Sequence, residues 1–176
     1  MLNKVRGFTL IELLIVVAIL GILAALLVPN ITTAVQKAKQ KSTMKDVGVI
    51  AGAVADFVTD NGVAPVANGV YTASDAFYTG ICPFYVKVLP ISDKWGYGFR
   101  VYTGTNANQY GIATAVGDDF LVSSYARGGV VEGWSFVPAS PEAGMYVVST
   151  MAHFERDLVN WNGSWIRGPR TAATGT

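Results

Sequence analysis

Residues 1–30 read MLNKVRGFTLIELLIVVAILGILAALLVPN, and the fold turns on how the apolar part of this stretch is read. The run from Phe8 to Val28 holds a single charge, Glu12. At about 1.5 Å per residue, a helix of that length covers the roughly 30 Å hydrocarbon core of a bilayer. A carboxylate there costs about 2.5–3.5 kcal/mol at the helix centre and less near an end. An inert anchor would carry Leu or Val at that position, so Glu12 is read as functional. A secretory signal peptide shares the positive start (Lys4, Arg6) but has a shorter apolar core and a small-residue cleavage site. This run is long and ends LLVPN. A plain anchor fits the length and leaves Glu12 unexplained. A third reading cuts at KVRG/FTLIE and keeps the whole apolar helix.

The helical pattern continues beyond Pro29. Val47, Ile50, Val54, Phe57 and Val58 recur every three or four residues as one apolar stripe, while Lys37, Lys39, Lys41, Lys45 and Asp46 supply polar surface nearer the apolar run. Pro29 lacks an amide hydrogen and crowds the carbonyl of Ala25, which predicts a kink. Gly21 is a second weak point. Asp60-Asn61-Gly62, with Pro65 beyond, predicts the helix end. A continuous helix from Phe8 to Asp60 would span about 80 Å. The first half of such a rod belongs in lipid or among other helices; only the second half has a stripe to offer a head.

The 176 residues leave room for one compact domain beyond the anchor. Charged residues make up 14% and hydrophobic residues 51%, against about 25% charged in an average soluble domain. A net charge of +1 gives no basic field of the kind that marks a nucleic-acid partner. Cys82 is alone, so no internal disulfide forms. Gly- and Asn-rich breaks at 68–69, 104–108, 117–119, 128–129 and 162–163 separate short Val/Tyr/Phe/Trp segments. Strands are expected at Gly98–Thr103, Gln109–Ala115, Phe120–Tyr125, Met145–Ser149 and Asp157–Trp161. The Asn162-Gly163 pair, between Leu158–Trp161 and Ser164-Trp165-Ile166, is a strong hairpin signal. Segment 62–90 reads as an irregular crossing from helix to sheet. The fold class is therefore α+β: a long N-terminal helix whose second half packs on a small antiparallel β-sheet head.

The stretch Gly7-Phe8-Thr9-Leu10-Ile11-Glu12, followed by an apolar helix, resembles the class III leader of type IV pilins and type II secretion pseudopilins. The resemblance extends through Gly21 and Pro29 to TDNGVAP at 59–65 and, more weakly, to ISDKWGYGF at 91–99. It implies a cleaved leader at 1–7, a transmembrane and polymerisation helix at 8–28, an amphipathic half at 29–61 and a β-rich head at 62–176. It implies a prepilin peptidase that cuts after Gly7 and methylates the new amine of Phe8, and assembly roles for Glu12, Gly21 and Pro29. The implied partners are copies of this chain in a filament, the peptidase and an inner-membrane assembly platform. The implied location is the bacterial inner membrane, then a periplasmic or extracellular filament. DKWGYGF and the missing second cysteine of many pilins favour the pseudopilin branch. The alternative is a bitopic membrane-anchored binding module that does not polymerise.

Cutting after Gly7 would leave a positive amine on Phe8, and methylation keeps that charge. Two opposite charges in low dielectric add little net stability, but removing one strands the other at a typical cost of about 3–5 kcal/mol. Glu12 then acts as a register device. The resemblance puts the amine on a neighbouring subunit; an intrachain contact also fits, since Phe8 and Glu12 are four apart on one helix face. The flanking charges point the other way from the family. Lys37, Lys39, Lys41 and Lys45 outnumber Lys4 and Arg6, and such a count places the C-terminal flank in the cytoplasm. The motif is the more specific signal.

Catalytic constellations are scarce. His153 and Cys82 are the only residues of their kinds, and HExxH, GxSxG, Walker A and GxGxxG are all absent. His153 reads as part of a polar surface segment and Cys82 as a small packed hydrophobe. Asn162-Gly163-Ser164 fits a glycosylation sequon. The resemblance implies calcium in a loop after the DxWG-like segment, with Asp118 and Asp119 as the ligands on offer. Here Lys94 replaces the usual proline and a long extension follows Asp119. Two adjacent acids do not supply the six to eight oxygens of a calcium site, and a solvated turn is the competing reading. Trp95 and Gly96 are read as structural. No other cofactor is expected, and the chain is read as a structural protein rather than an enzyme.

Overall fold

The computed structural model describes residues 7–170. Its contacts divide the chain into two compact units, Met1–Lys37 and Ala38–Thr176. Lys4 and Arg6, the basic leader residues, lie outside the described residues.

Helix α1 runs Leu10–Asn61. In the first unit its assignment passes without a break through Gly21 and Pro29. Every described residue from 7 through 32 is exposed, so no described part of the chain covers this apolar surface. In the second unit the same helix shows one buried stripe: Val47, Ile50 and Val54 are fully buried, with Phe57 and Val58 packed at its margin. The helix stops where expected. Gly62 takes a left-handed φ of 71° and its amide donates to the Val58 carbonyl at 2.8 Å, a glycine C-cap.

The head continues with β1 (Asn68–Val70), α2 (Ala76–Ile81), β2 (Arg100–Thr103), β3 (Phe120–Ser124), β4 (Met145–Tyr146), β5 (Leu158–Trp161) and β6 (Ser164–Pro169). Short 3-10 turns occur at Gly104–Ala107, Ala126–Gly128, Pro141–Gly144 and Met151–Glu155. The sheet order is β1-β2-β3-β5-β6-β4. All pairings are antiparallel except β4 with β6, which run parallel over Met145↔Gly168 and Tyr146↔Pro169. The sheet is thus mixed rather than purely antiparallel.

Both faces of the sheet are covered. On one, Phe99, Val101, Phe120 and Val122 meet the α1 stripe together with Phe77, Ile81 and Leu89. On the other, Leu121, Val159 and Ile166 lie under Tyr102, Tyr110, Trp134, Phe136 and Trp161. Burial on both sides explains why β3 is buried at all five positions.

Further expectations are corrected. Gln109–Ala115 is not a strand: Tyr110 (φ 55°) and Gly111 (φ 80°) both adopt left-handed backbone, which breaks an extended run. The expected strand Met145–Ser149 shortens to the two residues of β4, which is pinned by Arg170 N–H donating to the Tyr146 carbonyl at 2.8 Å. Segment 62–90 is not irregular throughout, because it holds β1 and α2. Asn68-Gly69, read as a break, lies in β1, with Gly69 opposite Val101. The hairpin stands as read: Asn162 (φ 48°) and Gly163 (φ 82°) form the two-residue turn between β5 and β6.

Candidate functional site

The apolar helix begins with a reciprocal cap. Thr9 N–H and Thr9 Oγ1–H both donate to Glu12 Oε2, at 2.9 and 2.7 Å, and Glu12 N–H donates to Thr9 Oγ1 at 3.3 Å. This is the T-x-x-E capping box, which satisfies amides that the first helical turn leaves without partners. Its signal, Thr9-Leu10-Ile11-Glu12 ahead of an apolar run, is visible in the sequence and identifies Thr9 as the partner that charge reasoning alone missed. Glu12 Oε1 has no hydrogen-bond partner among the described residues, so one carboxylate oxygen is left over from the cap.

Phe8 is exposed at the helix start. A Cβ built on Gly7 or Gly21 would meet nothing within 4 Å, so packing among the described residues requires neither glycine. Around Pro29 the polar side chains turn back on the helix. Asn30 Nδ2 donates to the Leu26 carbonyl (3.3 Å), Thr32 Oγ1 to those of Val28 (3.2 Å) and Pro29 (2.9 Å), and Thr33 Oγ1 to that of Pro29 (3.0 Å). These bonds dress the ladder next to the position where proline removes a donor.

The sequence-marked residues of the head serve structure. Asp93 Oδ1 accepts the amides of Trp95 (2.9 Å) and Tyr97 (3.0 Å), and Oδ2 accepts Ser124 Oγ at 2.7 Å. Lys94 donates its amide to Thr43 Oγ1 at 3.2 Å and sets Nζ 2.8 Å from Asp46 Oδ2. A proline there could not make the first of these bonds. Asp119 Oδ2 accepts Val116 N–H at 2.7 Å, and Oδ1 accepts Asn162 Nδ2 at 2.5 Å. Asn162 Oδ1 in turn accepts Phe120 N–H at 2.8 Å. Asn162 is therefore a tertiary clasp whose amide is already engaged. Asp118 is exposed and not joined to this network. Among the described residues, no group of three or more His, Cys, Asp or Glu is placed to hold a metal. His153 Nδ1 accepts the amide of Ser149 at 3.1 Å, and Cys82 is a half-buried free thiol; the two are not brought together.

The sheet face away from α1 carries a cleft of about 350 Å³ lined by Tyr102, Tyr110, Tyr125, Glu132 and Trp134. Beneath it lies Asp157, fully buried, whose Oδ2 accepts Tyr110 O–H (2.8 Å) and Glu132 N–H (3.1 Å). Its Oδ1 is buried without a partner among the described residues. Burial pushes the Asp157 carboxyl up to about 6, against the pull of the hydrogen bonds it accepts. Glu132 is tied to Arg167 through Oε1–Nη2 at 2.5 Å.

Residues 2–28 match the family profile of the prokaryotic N-terminal methylation motif. The chain carries that motif. Its match covers the basic start, Gly7, Phe8, the Thr9–Glu12 cap and the apolar helix through Val28. The chain is 36% identical over 66 residues to type II secretion system core protein G of Escherichia coli K12, covering 38% of this chain and 46% of that protein. To the protein of the same name from Vibrio cholerae it is 39% identical over 67 residues, again 38% and 46% of the two chains. Fimbrial protein EcpC of Eikenella corrodens is 44% identical over 69 residues, 39% of this chain and 45% of EcpC. The chain thus spans about half the length of the curated relatives it matches. No solved structure matches it. Among the described residues one helix, near the N-terminus, is long and apolar enough to cross a membrane.

Proposed function

We propose that this chain is a structural subunit of a type IV pilus-like filament, of the pilin or major-pseudopilin kind. The observation that carries the reading is the wholly exposed apolar helix behind a methylation motif. So large an uncovered apolar surface needs lipid or other chains around it, and a filament subunit meets lipid first and neighbouring helices later. In this reading a prepilin peptidase cuts after Gly7 and methylates Phe8, and the helix waits in the inner membrane. Assembly on a membrane platform then packs the helices into a central bundle, with heads outside in the periplasm or beyond. The chemistry is mechanical rather than catalytic. Gly21 and Pro29 mark the segment that loses helicity in the bundle, where neighbours meet the freed backbone groups; a filament map with unbroken helix from 21 to 29 counts against that part.

Mass spectrometry of the mature N-terminus and electron microscopy of sheared surface material test the proposal. Methylated Phe8 together with filaments is the expected result. An intact leader on a membrane-held protein points to the non-polymerising binding module instead. Gly7→Val should leave the leader attached and abolish filaments, because a side chain at the cut site obstructs the peptidase.

A further inference from the structure

The cleft of about 350 Å³ on the sheet face away from α1 lies wholly within the head's compact unit. Its volume falls in the range of about 300–1,000 Å³ typical of small-molecule sites. The walls are held from below. Asp157, fully buried, accepts Tyr110 O–H at 2.8 Å and Glu132 N–H at 3.1 Å, and Phe136 N–H donates to the Tyr110 carbonyl at 2.6 Å. Burying a carboxylate is costly, and one oxygen of this one, Oδ1, has no partner among the described residues. What the buried acid secures is the position of two cleft walls, Tyr110 and Glu132.

The lining alternates rings with hydrogen-bonding groups. Tyr110 and Trp134 stand with ring centroids 6.4 Å apart and planes tilted by 44°, adjacent walls rather than a closed stack. Beside them lie Tyr102, Tyr125, Gln109 and the exposed Ser135. Gln109 Nε2 donates to the Asn106 carbonyl at 3.4 Å and to Asn108 Oδ1 at 3.3 Å, both long for hydrogen bonds, and no described residue donates to its Oε1. Charge is already balanced. Glu132 is paired with Arg167, while the Arg100 guanidinium lies 3.5 Å over the Tyr125 ring and that of Arg167 lies 5.1 Å over the Trp134 ring. The acid and both rings have their cations, so the cleft calls for neither an anionic nor a cationic ligand.

We propose that this cleft binds a neutral sugar, as a mono- or disaccharide unit. A pyranose ring presents C–H groups on its faces, which stack on Trp134 or Tyr110. Its hydroxyls, arrayed round the edge, meet Gln109 Oε1, Ser135 Oγ and the hydroxyls of Tyr102 and Tyr125. A flat apolar ligand would strip those groups of water and leave them without partners, which costs affinity. Binding needs only the head, so it goes beyond the filament reading and holds whether or not the chain polymerises.

Isothermal titration calorimetry of the full chain, in a polyoxyethylene detergent free of sugar headgroups, tests this with maltose, cellobiose, lactose and N,N′-diacetylchitobiose. At least one should bind saturably, with a Kd of about 1 mM or tighter. Trp134→Ala should weaken that binding about tenfold through lost stacking. Trp134 also packs against Phe136, so a second variant spares the fold. Gly133 lines the cleft and a Cβ there would meet nothing within 4 Å. Gly133→Trp should therefore fill the mouth and abolish binding while leaving Tm unchanged. Retention on insoluble cellulose or chitin in addition marks a polymeric source, and binding of the disaccharides alone a free sugar; either supports the site. Three results overturn it: no saturable binding of any of the four sugars up to about 10 mM, sugar binding that Gly133→Trp leaves at wild-type strength, or saturation of the cleft by choline or inorganic phosphate instead. None of these touches the filament reading, which stands or falls on Phe8 methylation and filaments.

Discussion

Glu12 Oε2 closes the cap with Thr9, which fixes the start of the helix within one chain. In the filament proposed above, Oε1 is the oxygen left for a partner supplied by assembly. Glu12→Ala removes both functions. Loss of the cap costs about 0.5–2 kcal/mol at the first turn. That turn belongs to the other compact unit, so the head's melting temperature should not move. Filament yield should fall while processed monomer accumulates in the membrane fraction; a normal yield from fully processed Glu12→Ala would refute the assembly role. Asp157 carries a different signature. Its folded-state pKa of about 6 lies above the unfolded 3.8. Its contribution is therefore fully present below the unfolded value and is lost as pH rises through 6, an effect of about 2–3 kcal/mol. Melting curves of wild type and Asp157→Asn between pH 4 and 8 isolate it. The variant should be the more stable above pH 6, with the gap closing toward pH 4; parallel curves would show that Asp157 is not desolvated as the structure has it.

Elements in the head are held by clasps as much as by ladders. The β5–β6 hairpin is specified locally by Asn162-Gly163, yet Asn162 also ties its tip to the start of β3. Its amide N–H donates to the Phe120 carbonyl at 3.0 Å while its side chain engages Asp119 and Phe120 N–H. Asn162→Ala removes two side-chain bonds and leaves a non-glycine residue at positive φ, so it should destabilise the head by about 1–3 kcal/mol. Asn162→Gly keeps the turn free of strain and should cost less. Denaturant midpoints of wild type and the two variants separate the terms: the gap between the variants reports the strain, and a wild-type midpoint for Asn162→Gly would mean that the side-chain clasp contributes nothing. The α1 helix shows the opposite balance. Its residues through Thr32 are all exposed and carry the Thr9–Glu12 cap and the side-chain bonds around Pro29, whereas its second part is fixed by the stripe against the sheet.

At the scale of the whole molecule, the division of contacts at Lys37 and Ala38 predicts that the head carries its own stability. A fragment beginning at Ala38 should fold as a soluble monomer and melt within a few degrees of the full chain in detergent; an unfolded fragment would show that the apolar helix supports the head. The apolar helix, its cap, its end at Asn61, the stripe of Val47, Ile50 and Val54 and the hairpin at Asn162-Gly163 were all legible in the residues. Each rests on local physics: hydropathy over a bilayer's length, a period of 3.6, a left-handed turn. What only the tertiary structure decided depends on residues distant in sequence. The β1 strand exists because Asn68–Val70 pairs with β2, which follows only after α2 and a long connection, and Gln109–Ala115 is bent into a cover for the second sheet face despite its strand-like composition. Asp119 became a clasp for Asn162, Lys94 a tie to Thr43 and Asp46, and Asp157 a buried acid, because the chain's return brought those groups together. Short apolar segments say that they will be buried, but not against what, since the energy of burial has no direction.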